Sequence, residues 1–484
     1  MSTTKISPLR RLVNILSDAV TKIDEKYASA NLEFPSLDKP FDESDPACLL
    51  LSDPDVVPHS SLIVAAADQL IASARHPAQA ILDMAQSHTI PACLNLACET
   101  SVAEILREAG PEGLPVKDIA AKNKMHPSKL ARALRLLATH HVFAEVSPDV
   151  FANNILSSVL DTGKSTEALF TQKKVNKFDG AARGSACAAV EMTADDSLKA
   201  SAFIIDSLLD PATSYSEEPS DAPCLRLFKA KSYFDYLYAP GNEYRKARYQ
   251  AAMSALASSE SSTVVSGGFP WETLPKGTKI VDVGGGVGSA CHEIMNKNPL
   301  LKFTVQDLPS VTERAIAYWN QHEPKAFADG QVTIQEHDFF APQPVKDADV
   351  FLLRYILHDW SNAKAIEILK RLREVAVPGK TKVIVVDGVI QYACKVDRKK
   401  IRGAEGIVFE GSDKKSEVPA GLLPNLGKAC ARNYCLDLTM LAKFNGQERT
   451  LGDHIHVMEA SGWKIGKIYS PDGRRISHVL AEAA

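Results

Sequence analysis

From Lys279 onward, short apolar runs alternate with stretches of helical spacing. Residues 279–283, 302–306, 332–335, 349–353 and 382–387 have the length and apolar continuity of buried strands. Helical patterns fill most of the gaps between them. This half therefore predicts a βαβ series, a mostly parallel sheet with helices on both faces. The N-terminal half has another texture. A helical pattern over 8–30 gives way to a loop rich in Pro, Asp and Ser from Pro35 to Pro58. Short helices are expected over 76–160. One begins over Leu114–Ala121, and a second runs from His126 to Leu137 with apolar residues 130, 133, 134, 136 and 137 at helical spacing. His141–Val146 and Val150–Ala152 flank the turn Ser147-Pro148-Asp149 and predict a small hairpin. Helix, turn, helix and two-stranded wing is the order of a winged helix. Residues 165–275 read as mainly helical, with a polar, acidic break at Ser214–Pro223. The pattern divides the chain into an N-terminal extension (1–75), a winged-helix unit (76–165), a helical connecting region (166–275) and an α/β domain (276–484).

Composition narrows the partners. The 484 residues are 45% hydrophobic and 24% charged, with a formal net charge of -4. The second helix of the winged unit carries Lys129, Arg132 and Arg135, which would suit DNA. A net acidic chain gives no electrostatic footprint for nucleic acid or an anionic membrane, and such a module also serves for packing. No run of about 18 apolar residues predicts a transmembrane helix. The basic and apolar N-terminus is interrupted by Asn14, Ser17 and Asp18, so it reads as an amphipathic helix and not a signal peptide. Nine cysteines without a CxxC pair read as free thiols in a reducing compartment, and a cytoplasmic protein is the expectation. No His, Asp and Glu cluster has metal-ligand spacing.

Chemistry concentrates at the ends of the expected strands. Ile280–Ser289 is an apolar strand running into a glycine loop that opens a helix. Glycines allow the sharp turn and the close approach of a ligand, and ligands of open α/β sheets sit outside the carboxyl ends of the strands. The dinucleotide pattern GxGxxG is not completed, because Ser289 or Cys291 stands at its third position. Asp282 followed by Gly284, Gly286 and Gly288 suits S-adenosylmethionine, whose cationic amino-acid end Asp282 could orient through water or backbone. The loop alone leaves other Rossmann-like nucleotide binders open. Asp307, about twenty residues after the loop at the end of the next strand, suits ribose hydroxyls, and equally the N-cap of the following helix. His337-Asp338-Phe339-Phe340 places an acid and an aromatic where an adenine could be bonded and covered. Val350–Trp360 runs a strand out into His358 and Asp359, with Ser361 as N-cap of a helix over 362–376.

Together, VDVGGGVGS, VQDLP, HDFF, LRYILHDW, VIVVDGV and DLTMLAKFNGQERT resemble the plant and fungal small-molecule O-methyltransferases, with caffeic-acid and flavonoid O-methyltransferases as relatives. The resemblance covers roughly 80–160 and 225–484. It implies an N-terminal winged-helix dimerisation domain, a Rossmann-like S-adenosylmethionine-dependent methyltransferase domain, a homodimer, and methylation of a hydroxyl, expected to be phenolic. His358 matches the family's base, and Glu448 matches one carboxylate flanking it. Asp387 stands where the family usually has the other, a glutamate. Gly284, Asp307, Asp338, Phe339 and Arg354 fall at cofactor-contact positions, Arg354 where Lys is usual. Trp360, Met253 and Met440 fall where residues border cofactor or substrate. A phenol and an unperturbed imidazole have pKa values near 10 and 6.5, so a positioned His can take the proton as attack on the sulfonium methyl proceeds. The rivals are C- or N-methyl transfer on the same fold and a catalytically inactive regulator.

Two departures stand out. Asp387 is one methylene short of glutamate, so a longer or water-mediated contact to His358 is expected. The stretch from Asp387 to Asp437 is longer than in the plant relatives. The insert, about 391–430, mixes Arg398, Lys399, Lys400, Lys414 and Lys415 with Glu405, Glu410, Asp413 and Glu417. It reads as a solvated loop, or as a lid following a strand end on the active edge.

Overall fold

The structure, a computed structural model, describes residues 6–180, 185–259, 264–411, 418–470 and 476–484. Asp413, Lys414, Lys415 and Glu417 of the insert lie outside the described residues. The helices and hairpin expected over 114–152 form, but the first strand of the hairpin runs Ala144–Ser147 and not His141–Val146, since His141 and Phe143 hold positive φ. Leu114–Pro115 is not helical but a short strand, β1, and the helix starts after it at Val116. Proline at the N-cap explains the boundary, since the residue before proline is pushed to extended backbone. Helices Val116–Asn123 and Pro127–Thr139 are followed by β2 (Ala144–Ser147) and β3 (Val150–Ala152), in a sheet of order β1-β3-β2. Arg135 is tied to this hairpin, donating to Glu145 at 3.0 Å and to Asp149 at 2.7 Å.

The second half builds a nine-stranded mixed sheet among the described residues. Its strands are β4 (Lys279–Val283), β5 (Lys302–Asp307), β6 (Val332–Glu336), β7 (Val350–Arg354), β8 (Lys382–Ile390), β9 (Val408–Glu410), β10 (Arg449–Thr450), β11 (Trp463–Tyr469) and β12 (Ile476–Ala483). The order is β6-β5-β4-β7-β8-β12-β11-β9, with β10 on β8. The first five strands are parallel, and β12 runs antiparallel to β8 and to β11. One face buries Val281, Phe351, Leu353, Val383 and Val385 under helices Asn362–Arg373 and Leu451–Ala460. The other buries Ile280, Phe303, Val305, Leu352 and Ile384 against Ile294 and Trp319. With both faces covered, the central strands β4, β7 and β8 read as nearly continuous apolar runs, which is why they were visible in the sequence.

Two expectations are corrected here. The insert is neither a free loop nor a lid over its whole length. Its β9 extends the sheet by pairing with β11, and Ile401, Ala404, Ile407 and Phe409 pack into the core. Helices Pro8–Ser29 and Val57–Ala74 pack on the end of that insert, with Leu12, Ala65, Ala66 and Leu422 forming a small core. Gln69 donates to the Gly421 carbonyl at 2.6 Å. The stretch Pro35–Pro58 is also more ordered than a loop, with a helical turn at Pro46–Leu49 and a backbone bond from Ile155 to Leu37 at 3.1 Å. Among the described residues no single helix is long and apolar enough to cross a membrane.

Candidate active site

The carboxyl ends of β4, β5, β7 and β8 converge. The loop after β4 carries Gly284, Gly286 and Gly288, all at positive φ (70°, 60° and 83°), where a side chain would be strained. At Gly284 a Cβ would stand 2.6 Å from Ile356 and 3.5 Å from Phe339, whereas at Gly286 it would enter open space. The loop therefore presents bare backbone beside Ile356 and Phe339. Phe340 and Trp360 cluster with Phe339, the Phe340 and Trp360 ring centroids lying 4.7 Å apart. Asp307 reaches back from the end of β5 and accepts from the Gly286 N–H at 2.8 Å and the Leu308 N–H at 2.7 Å. It is not the helix cap weighed above, because Leu308 is the N-cap and no side chain caps that helix. Asp282 lies beneath the loop, buried, accepting from the Cys291 thiol at 3.4 Å, and burial raises its pKa to about 6. A Cβ at Gly285 would stand 2.5 Å from Asp282 Oδ2, so the loop packs closely on this carboxylate. Asp338 accepts from the Phe340 N–H at 3.0 Å. Arg354, at the end of β7, stacks 5.4 Å over the Tyr355 ring.

His358 sits one turn beyond β7, on the 3₁₀ turn Leu357–Asp359. Its Nδ1 is 2.8 Å from Glu448 Oε1, and its Nε2 is 3.6 Å from Asp359. Glu448 is 3% exposed, and its own N–H donates to Asp437 at 2.9 Å. Asp387 is 2% exposed, and neither of its oxygens has a hydrogen-bond partner among the described residues. No direct bond to His358 forms, as the shorter side chain led one to expect. Burial raises Asp387 to about 7, against the pull of His358. Burial by itself would lower His358, but the charge of Asp359, the bond to Glu448 and the charge of Asp387 outweigh it and raise the imidazole to about 9. The site is built to hold a proton on this ring.

Several residues that sequence reading passed over position the turn. Arg449 is buried and brackets it, donating from Nη1 to the Leu357 carbonyl at 2.6 Å and from Nη2 to the Trp360 carbonyl at 2.8 Å. Its Nε reaches Asn362 at 2.9 Å. Gly446 lies so close that a Cβ there would be 2.5 Å from the His358 carbonyl oxygen. Tyr355 holds φ 54°, a genuine outlier for a bulky residue, with its ring 5.4 Å from that of His358. Arg449 and Gly446 flank Glu448 in the motif already singled out, so adjacency was the available signal. Met440 is buried on helix Ala431–Phe444, which leads into this loop, whereas Met253 packs on the core of the N-terminal helical unit.

Residues 228–408 match an O-methyltransferase domain family, and residues 82–163 match an O-methyltransferase dimerisation domain. An O-methyltransferase of Armillaria gallica is 35% identical over 98% of this chain and 99% of its own. The chain belongs to the O-methyltransferase family. It is a methyltransferase, and the methyl donor of this family is S-adenosylmethionine. A protein of Phanerochaete chrysosporium named 4-O-methyltransferase 1 is 36% identical over 96% of each chain. The fold is shared with CalO1, a methyltransferase in calicheamicin biosynthesis solved with S-adenosylhomocysteine bound. The TM-score is 0.56 at 22% identity, covering 84% of this chain and 98% of that one.

Proposed function

We propose that this O-methyltransferase methylates a phenolic hydroxyl of a small aromatic molecule, with His358 as general base. The observation that carries the reading is the Nδ1 contact of His358 to buried Glu448 at 2.8 Å, which leaves Nε2 as the nitrogen to face an acceptor. Glu448 fixes the ring and stabilises the imidazolium, as the carboxylate of a triad does. Asp387 adds negative charge without a direct bond. When bound, S-adenosylmethionine supplies an electrophilic methyl on a sulfonium. The residues present fit that donor. Gly284, Gly286 and Gly288 offer backbone, Asp307 keeps unused lone pairs for ribose hydroxyls, and we read Asp338, Phe339, Arg354 and Trp360 as the further contacts of the donor. Met440 and Met253 are assigned to the acceptor side.

Raising the imidazole toward the phenol's own pKa makes it a stronger base, at the cost of being protonated at neutrality. The sign follows directly. The base form grows as pH rises, so kcat/KM should climb through about 9 and then level. His358→Gln should lose the limb at about 9 and keep only a weaker rise toward the phenol's own pKa of about 10, which separates the imidazole from ionisation of the acceptor. A wild-type profile flat from acid to pH 9 would sink the assignment. Asp307→Ala should weaken S-adenosylmethionine binding markedly in calorimetry, with the fold intact by circular dichroism. Unchanged affinity would remove Asp307 from the ribose site.

The division into extension, dimerisation domain, helical region and methyltransferase domain is proposed as the working anatomy, with a homodimer as the assembly. The exposed side chains of Ile81, Leu82 and Met84, at 65, 61 and 71% exposure, lie at the start of the matched dimerisation domain and are candidates for its interface.

A further inference from the structure

The polar, acidic break between the helices of the connecting region is a strap across both catalytic elements. Glu217 accepts from the Ala363 N–H at 3.0 Å. That donor lies in the first turn of helix Asn362–Arg373, where backbone N–H groups have no partner within the helix and negative charge is favoured. Lys364 of the same turn pairs with Glu218 at 3.4 Å. At the other end, the Cys224 N–H donates to the Ala442 carbonyl at 2.9 Å, and its thiol lies 3.4 Å from the Lys443 carbonyl. Asn445 Nδ2 donates to two strap carbonyls, Ser216 at 2.8 Å and Glu218 at 3.1 Å.

Asn445 ends helix Ala431–Phe444 in the left-handed region, φ 56°. The residues that follow it all meet the base. Gly446 lies against the His358 backbone, the Gln447 N–H donates to the His358 carbonyl at 2.9 Å, and Glu448 holds the ring. So one residue of this short run is fixed to the strap and the next three to the catalytic turn.

We infer that Asn445 is a positioning residue: by pinning residues 446–448 to the strap Ser216–Cys224, it sets the meeting of Glu448 with His358 Nδ1. The helical region thereby controls the geometry of the base. The inference rests on the reading of His358 as base, and its test separates the two.

The charged groups facing the His358 ring are Glu448, Asp359 and Asp387. Only the Glu448 contact depends on the run that Asn445 anchors. Asn445→Gly keeps the left-handed backbone and deletes both bonds. Asn445→Asp keeps the shape and sets a carboxylate against two carbonyls. Both go into one assay with wild type and His358→Gln, using the phenol that wild type turns over fastest. The His358 ring is also titrated by NMR, its signal assigned by its loss in His358→Gln. Expected are a fall in kcat of about tenfold for Asn445→Gly and up to about 10²-fold for Asn445→Asp, with the S-adenosylmethionine Kd held. The ring titration should move down by roughly one pH unit as a hydrogen bond to the charged form is lost. Wild-type kcat and ring titration in folded Asn445→Gly would overturn the inference, whatever Asn445→Asp does. Retained activity in His358→Gln with a shifted titration in the Asn445 variants would overturn the base and leave the positioning intact.

Discussion

His358→Gln should lower turnover by about 10²–10⁴-fold, the usual worth of a positioned general base, while S-adenosylmethionine affinity stays near wild type. Glutamine keeps some size and hydrogen bonding but cannot take a proton at neutral pH. The ring it replaces is held by Glu448 at 2.8 Å and charged more readily than an ordinary His, because Asp359, Glu448 and Asp387 overcome the effect of burial. Loss confined to the chemical step is what removal of a group acting mainly in the transition state produces. Activity on phenols should partly return at high pH, where solvent supplies the phenolate. Single-turnover rates beside calorimetric affinities check this, and wild-type rates at pH 7 would mean that proximity alone activates the acceptor.

Gly446→Ala should be nearly as damaging although it removes nothing. The added Cβ would sit 2.5 Å from the His358 carbonyl oxygen, 2.7 Å from the Asp359 carbonyl carbon and 2.8 Å from its oxygen. These are backbone atoms of a turn bracketed by Arg449, so they cannot swing aside as a side chain would. Relief must come from moving the loop 446–448, and with it Glu448, away from His358. A displacement near 1 Å in a catalytic constellation costs about 10²-fold in rate, and overpacking adds about 1–3 kcal/mol of destabilisation. A kcat fall larger than any loss of folded fraction, measured by kinetics beside thermal unfolding, is the expected outcome. Wild-type kcat would show that the loop tolerates the displacement.

The central parallel strands β4, β7 and β8 were legible because they are buried on both faces and read as nearly unbroken apolar runs. The last strands were not named from the sequence. β11 alternates, with Lys464 exposed and Lys467 partly so, and β12 is buried yet contains Ser477 and His478. β9 is short, and Val408 and Glu410 are exposed, so its pairing with β11 leaves no periodic trace. At the site, residues that carry chemistry were readable one by one: His358, Glu448, Asp307 and the glycine loop. What positions them was not. The grip of Arg449 on Leu357 and Trp360 spans about ninety residues of chain, and the approach of Gly446 to His358 is a tertiary contact without a local pattern. The packing of Leu12 and Ala65 on Leu422 likewise joins segments far apart in the chain.

The central claim is methyl transfer from S-adenosylmethionine to a hydroxyl oxygen. The most direct measurement incubates the full chain with methyl-deuterated S-adenosylmethionine and a panel of phenols, matched anilines and carbon nucleophiles, and locates the label in the products by mass spectrometry and NMR. The account predicts label on a phenolic oxygen, formed at a rate that collapses in His358→Gln. Label on nitrogen or carbon, or S-adenosylmethionine binding without transfer to any acceptor, would contradict it.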